Sequence, residues 1–362
     1  MSTSTVRVDL GPRGYDIAVT SNALDGLGPF ARQRCQGALA FVVTDENVRP
    51  HADRAGAALK AAGFQCNTVI LPHGEAQKAL GVASMLYDTM VNLHADRRTL
   101  VVAVGGGVIG DLAGFVAATF NRGVPLLMVP TTLLAMVDSS VGGKVAVNHP
   151  KGKNLIGVFH QPIGVWIDTA VLATLPERDY RSGLAEVVKY GVILDADFFG
   201  WLEANADAVL RRDAAAIRHV VTRCCRLKAD VVEKDEREET GVRAALNYGH
   251  TFAHAFETAA GYGGWQHGEA VAAGMICASR LAERLGRIDA ELTHRQRTLL
   301  ERFGLPTQPE RWPTVDLLAT MRSDKKAVAG KMRFVLPSRL GAVELVDGVP
   351  EEIVATVLNE KA

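Results

Sequence analysis

The sequence predicts an α/β N-terminal domain on a mainly parallel or mixed sheet, over residues 1–174, followed by a mainly α-helical domain over 175–362. Three observations predict it. Short β-branched runs alternate with helical segments through the first half, the rhythm of βαβ units around a parallel sheet. After Leu175-Pro176-Glu177 the strand runs stop, and apolar residues recur at spacings of three and four. A chain of 362 residues also exceeds the ~250–300 at which a single core usually stops growing.

Taken in order, residues 6–10 and 15–20 flank Gly11-Pro12-Arg13-Gly14, which predicts an antiparallel hairpin at the sheet edge. Residues 39–44 read as a strand, 52–62 as a helix, 68–71 as a strand and 80–93 as a helix. Residues 100–104 form a strand opening into Gly105-Gly106-Gly107. Helical periodicity then covers 184–192, 198–210, 214–232 and 251–260. Alternation returns at 332–336 and 342–346 around Pro337-Ser338-Arg339-Leu340-Gly341, a second hairpin. With no repeat or low-complexity linker, the boundary near Thr174 should be tight, and a ligand cleft is expected along it.

Lys plus Arg and Asp plus Glu both number 40, so no global field draws the chain to nucleic acid or an anionic membrane. Any anionic ligand must be held by a local cluster. The five Cys form no CxxC pair and leave one over in any pairing, which favours a reducing compartment, with the cytoplasm as default. The N-terminus has neither a basic nor an apolar region, and no run approaches the ~18 apolar residues of a membrane span.

The segment Gly105-Gly106-Gly107-Val108-Ile109-Gly110-Asp111 is a strand, a glycine turn and a helix start. Glycines let the backbone approach a pyrophosphate, and the N–H groups of the next helix face its charge. Alone, a dinucleotide turn and a ligand-free βα turn are equally good readings. Asp45 and Asn47, Glu75 and Lys78, and Thr131 and Thr132 follow three further strands. In a parallel sheet those strand ends share one edge, where ligands of open α/β sheets bind.

His250 and His254 stand at i and i+4, and His267 follows shortly. Three imidazoles suit a borderline ion such as Zn²⁺, although with ten His in the chain such a pair is more often an ordinary surface or core feature. Glu186 is harder to dismiss. A carboxylate inside Leu184-Ala185-Glu186-Val187-Val188-Lys189-Tyr190 needs a cation, which a metal or Lys189 could supply. Lys144, Lys153, Lys189, Lys228, Arg122 and Arg243 gain function only if they cluster. Gly142-Gly143-Lys144 lacks Walker A spacing and runs into Val145, so an NTPase reading is rejected.

Gly105-Gly106-Gly107-Val108-Ile109-Gly110-Asp111, Met136 to Lys144, Gly152 to Gly157, Ala185 to Lys189, Leu246 to Thr251 and His267 to Val271 together resemble the 3-dehydroquinate synthases, sugar-phosphate cyclases, over nearly the whole chain. That resemblance implies a Rossmann-like NAD-binding α/β domain and a helical metal- and substrate-binding domain. It implies Glu186, His250 and His267 as ligands of Zn²⁺ or Co²⁺, with His254 as a substrate-side proton carrier and not a ligand. Asp45, Asn47, Glu75, Lys78, Gly106, Gly107, Asp111, Thr131, Thr132, Lys144, Lys153 and Thr174 then match the NAD contacts. Asp138, Lys144, Lys153, Asn154, Lys189, Lys228, Arg243, Asn247 and Lys325 match the substrate side. Arg122 would reach the phosphate held by a neighbouring subunit, implying a homodimer. The run from Asp235 to Arg243 is one residue longer than the usual pattern; counting back from Arg243 favours Glu239 over Glu238 for the acidic role.

The implied reaction converts 3-deoxy-D-arabino-heptulosonate 7-phosphate to 3-dehydroquinate and phosphate in the shikimate pathway. It runs through transient oxidation by NAD, β-elimination of phosphate, re-reduction and intramolecular aldol closure. Competing readings are a cyclase for another sugar phosphate, a metal-dependent polyol dehydrogenase, and a non-catalytic NAD- and metal-binding regulator. The last leaves the cationic cluster without a purpose.

Overall fold

A computed structural model describes residues 3–261, 264–323 and 332–360. The chain gathers into two compact units, Met1–Leu175 with Ile217–Arg237, and Pro176–Ala216 with Glu238–Ala362.

In the first unit the β-branched runs become β3 (Leu39–Asp45), β4 (Gln65–Leu71), β5 (Leu100–Gly105), β6 (Leu126–Pro130) and β9 (Gly164–Asp168). They pair in parallel, and β1 (Ser4–Val8) joins β2 (Tyr15–Thr20) antiparallel at one edge. The sheet is mixed, as the sequence reading expects, and its strand order is β1-β2-β9-β6-β5-β3-β4. Its central strands are continuous apolar runs because helices cover both faces of a parallel sheet. The covering helices include α1 (Leu27–Arg34), α2 (Arg49–Ala61), α3 (Leu80–Asn92) and α4 (Gly107–Thr119). One core layer joins Leu27, Phe30 and Leu59 of α1 and α2 to Val42, Val102, Leu127 and Trp166 of the strands. Phe30 meets Trp166 with ring centroids 5.1 Å apart.

The chain passes from β3 out to β4, then returns to the other side of β3 as β5. The β3/β5 boundary is therefore the point where strand order reverses, the place where ligands of open α/β sheets bind.

Two features of this unit differ from the sequence reading. A small antiparallel hairpin, β7 (Lys144–His149) with β8 (Gly152–Phe159), stands where the sequence reading assigns no element. The second feature is α7 (Ala214–Lys234), most of which belongs to this unit and not to the helical one. Its Lys228 Nζ donates to the Asp138 carbonyl at 2.7 Å, and Arg226 reaches the Arg7 carbonyl. Helical periodicity shows that a face is buried, but not what buries it.

The second unit packs α5 (Glu177–Leu194), α6 (Ala196–Leu210), α8 (His250–Ala259), α9 (His267–Arg284), α10 (Ala290–Arg302), α11 (Thr314–Ser323) and α12 (Glu351–Asn359) around fully buried aromatics such as Tyr190, Phe199, Phe252 and Phe303. The hairpin β10 (Arg333–Arg339) with β11 (Ala342–Asp347) is present, yet its strand runs through Pro337, paired with Val343 beside a register shift, so the turn is tighter than expected. Gly341 N donates to Val192 O at 2.9 Å and fixes the hairpin to α5. Among the described residues, no helix is long and apolar enough to cross a membrane.

Candidate active site

At the carboxyl end of β5 the chain turns through Gly106 into α4, whose first turn has no side-chain cap. Its leading N–H groups are thus available to an anion. A Cβ on Gly106 would stand 3.1 Å from Thr132 Cγ2, so a side chain there would crowd the turn. Thr131 N donates to Gly105 O at 3.0 Å, placing Thr131 and Thr132 beside the glycine turn, and the buried Thr131 Oγ1 has no hydrogen-bond partner. Across the strand-order reversal, Asp45 ends β3 and accepts from Asn47 N at 3.0 Å and Val48 N at 3.2 Å. Burial pushes the Asp45 carboxyl up, against those N–H groups. Glycine cradle, uncapped helix and an orphaned hydroxyl at a switch point fit a dinucleotide.

The neighbouring polar residues are linked to one another. Lys78 pairs with Asp111 on α4, whose carboxyl is raised by burial and held back by that ammonium. Asn148 Nδ2 donates to Glu75 Oε1 at 2.7 Å, Asn148 N donates to Lys78 O at 2.8 Å, and Asn154 N donates to Asn148 Oδ1 at 2.9 Å. Lys144 opens β7, and Lys153 and Asn154 lie on β8, so one hairpin carries all three. Thr174, at the end of the short helical segment that follows β9, has its Oγ1 2.9 Å from His51 Nε2. Asp138 and Lys228 pair through their side chains. Arg122 is exposed, in a turn where Asn121, Arg122 and Gly123 all have positive φ.

In the second unit, three elements distant in sequence deliver Glu186 from α5, His250 from the first turn of α8 and His267 from the first turn of α9. One ligand atom from each lies within 4.8 Å of the others. Gly249 makes this possible. Its φ of +78° is left-handed, and a Cβ there would meet Met275 N of α9 at 2.8 Å. The Glu186 side chain is 0% exposed and neither oxygen accepts a hydrogen bond of normal geometry. Around it stand Lys189, 1% exposed and in ionic contact, His250 Nε2 at 3.6 Å and His267 Nε2 at 3.4 Å. A buried carboxylate facing two imidazole nitrogens fits a borderline divalent cation. Burial pulls the His267 pKa down, but Glu186 and Glu257 outweigh it and hold the ring up at about 10.

His250 Nδ1 contacts Tyr248 O at 3.0 Å, which turns Nε2 toward Glu186. His254, one turn along, meets the His250 ring edge-on with centroids 5.8 Å apart and is outside the three-residue cluster. Asn247 and the buried Arg243 lie on the short helical turn before His250. Glu238 Oε1 lies 3.6 Å from Arg243 Nε, and Glu238 and Glu239 are both exposed. Lys325 lies outside the described residues.

Comparison with known proteins decides the family. Residues 68–182 match the family model for the 3-dehydroquinate synthase N-terminal region, and residues 183–327 match the one for the C-terminal region. A 3-dehydroquinate synthase of Desulforamulus reducens is 51% identical over 358 residues, covering 98% of this chain and 99% of that one. The chain belongs to the 3-dehydroquinate synthase family. Beyond the 3-dehydroquinate synthases themselves, a solved 2-deoxy-scyllo-inosose synthase, complexed with carbaglucose-6-phosphate, NAD⁺ and Co²⁺, superposes with a TM-score of 0.90 at 28% identity, covering 98% of this chain and 99% of its own. The 2-epi-5-epi-valiolone synthase of Streptomyces hygroscopicus, with NAD⁺ and Zn²⁺ bound, gives 0.87 at 27% identity over 95% of each chain.

For this 3-dehydroquinate synthase family chain, sequence reasoning missed Asn148, which ties the hairpin to the Glu75–Lys78 turn, and Glu257, which faces His267. The second had a visible signal: Glu257 is seven residues after His250, on the same helical face.

Proposed function

We propose that this chain is a 3-dehydroquinate synthase, converting 3-deoxy-D-arabino-heptulosonate 7-phosphate to 3-dehydroquinate and phosphate with NAD and a divalent metal, Zn²⁺ or Co²⁺. The observation that carries the reading is the Glu186, His250 and His267 cluster, in a chain 51% identical to a 3-dehydroquinate synthase. Bound NAD would supply a hydride acceptor that is restored within each turnover, and the bound ion a Lewis acid toward substrate hydroxyls.

The protein's own residues take the remaining roles. Glu186, His250 and His267 hold the ion. Asp45, Asn47, Glu75, Lys78, Gly106, Gly107, Asp111, Thr131, Thr132, Lys144, Lys153 and Thr174 bind and orient NAD. Lys144, Lys153, Asn154, Lys189, Lys228, Arg243, Asn247 and Lys325 hold the anionic substrate, the cations countering charge as phosphate departs. His254 and Asp138 carry or orient protons on the substrate side, and Glu238 or Glu239 holds Arg243, with Glu238 now favoured by its ion pair. We assign residues 1–174 to NAD binding and 175–362 to metal and substrate, with α7 and its Lys228 contributed by the helix that packs on the first unit.

A cytoplasmic homodimer is part of the proposal. Leu155, Val158 and Phe159 are exposed along β8, an apolar strip suited to a second copy, and the strained turn presents Arg122 for a neighbour's phosphate. The test incubates metal-reconstituted protein with substoichiometric NAD⁺ and the heptulosonate phosphate. Many phosphates released per NAD⁺, a carbocyclic product and no lasting nicotinamide absorbance are expected. Net NADH accumulation, or turnover of glucose 6-phosphate or sedoheptulose 7-phosphate instead, would overturn the reading.

A further inference from the structure

The face of α8 that carries His250 and His254 continues one turn further to Glu257. Glu257 Oε2 lies 3.6 Å from Nδ1 of His267, while Nε2 of the same ring lies 3.4 Å from Glu186 Oε1. The imidazole is therefore held between two carboxylates, one on each ring nitrogen. A ring whose Nδ1–H faces a carboxylate keeps its Nε2 lone pair for a metal, and that outer partner fixes both tautomer and ring plane. On the other imidazole, His250 Nδ1 meets an uncharged group, the Tyr248 carbonyl, at 3.0 Å. Glu257 is only 17% exposed, so its charge, 3.6 Å from the ring nitrogen, is incompletely screened by water.

The His267 end of α9 is also braced from elsewhere in the unit. Gly268 N donates to Ser182 Oγ at 3.0 Å, Gln266 Nε2 donates to Asp179 Oδ1 at 2.7 Å, and Arg178 grips Glu269 through two hydrogen bonds of 2.7 Å. These contacts place the backbone. None of them touches the ring, which instead meets Glu186 at Nε2, the His250 ring edge-on with centroids 5.4 Å apart, and Glu257 at Nδ1.

We propose that Glu257 is a positioning residue for metal binding, the outer carboxylate that orients His267 and strengthens it as a ligand. The inference rests on reading Glu186, His250 and His267 as the metal-holding set. It adds an asymmetry to that set: one imidazole backed by a full negative charge, the other by a peptide dipole.

The experiment measures Co²⁺ affinity of chelator-stripped protein by competition with a colorimetric chelator, together with the visible Co²⁺ spectrum. Unsubstituted protein, Glu257→Gln, Glu257→Asp and His267→Ala are compared. Glu257→Gln is expected to weaken Co²⁺ binding about 10–100-fold and shift the visible bands, with metal-free melting unchanged. Glu257→Asp, which keeps the charge, should recover part of the loss. Affinity within twofold of the unsubstituted protein in Glu257→Gln, while His267→Ala loses binding, overturns the role of Glu257 and leaves the ligand set standing. Unchanged affinity in His267→Ala overturns both.

Discussion

Glu186 and Lys189 lie one turn apart on α5 and are both sealed from water, so a change at either reaches the other. A buried pair of this kind offers little net stability when intact, because desolvation of both charges offsets their attraction, yet removing one partner strands the other. The sequence reading treats metal and Lys189 as alternative cations for the carboxylate; the structure puts Lys189 against Glu186 and the two imidazoles around it. Glu186→Gln is therefore expected to abolish Co²⁺ binding and also to cost about 3 kcal/mol in urea unfolding of the metal-free protein. Adding Lys189→Met to that variant should restore much of the stability and none of the metal binding. Equal stability of the single variant and the unsubstituted chain would show that the ammonium is satisfied without Glu186.

At the scale of elements, the site depends on how closely α8 approaches α9, and that approach is set by glycine. Gly249 meets the α9 backbone at Met275, and a Cβ on Gly274 would stand 2.3 Å from Gly249 O. Gly249→Ala adds a left-handed backbone penalty to a backbone clash and is expected to cost about 2–4 kcal/mol while displacing His250. Gly200, inside α6 with nothing within 4 Å of an added Cβ, is the control: Gly200→Ala should gain about 0.5–1 kcal/mol. Chemical denaturation midpoints of the two variants decide this, and a shift in the same direction would contradict it.

These elements were unequally legible in the sequence. The central strands were readable because residues such as Val42 and Val102 are buried on both faces and write continuous apolar runs. Glu186 was readable because a charge in such a run is anomalous. The β7–β8 hairpin was not, since Leu155, Val158 and Phe159 are exposed and β8 has no inside to alternate with. Nor could periodicity tell that α7 packs on the sheet unit, or that β10 accommodates Pro337 at an irregularity in its ladder.

For the whole molecule, the two chemical stations are built from different parts of the chain. Gly106, Asp45, Lys78, Asp111 and Thr131 belong to the first unit, whereas Glu186, His250 and His267 belong to the second. The metal ligands come from three helices that only folding brings together, so the unfolded chain competes poorly for the ion and binding adds to stability by mass action. Above the dissociation constant each tenfold rise in free Co²⁺ contributes about 1.4 kcal/mol, or about 3–5 °C for a cooperative unit of this size. NAD⁺ should raise melting through the other unit by the same law. The two responses are therefore separable: His267→Ala is expected to lose the Co²⁺-dependent rise in melting temperature and keep the NAD⁺-dependent one. Differential scanning fluorimetry across both titrations checks this, and loss of both responses in that single variant would mean that the two stations do not bind independently.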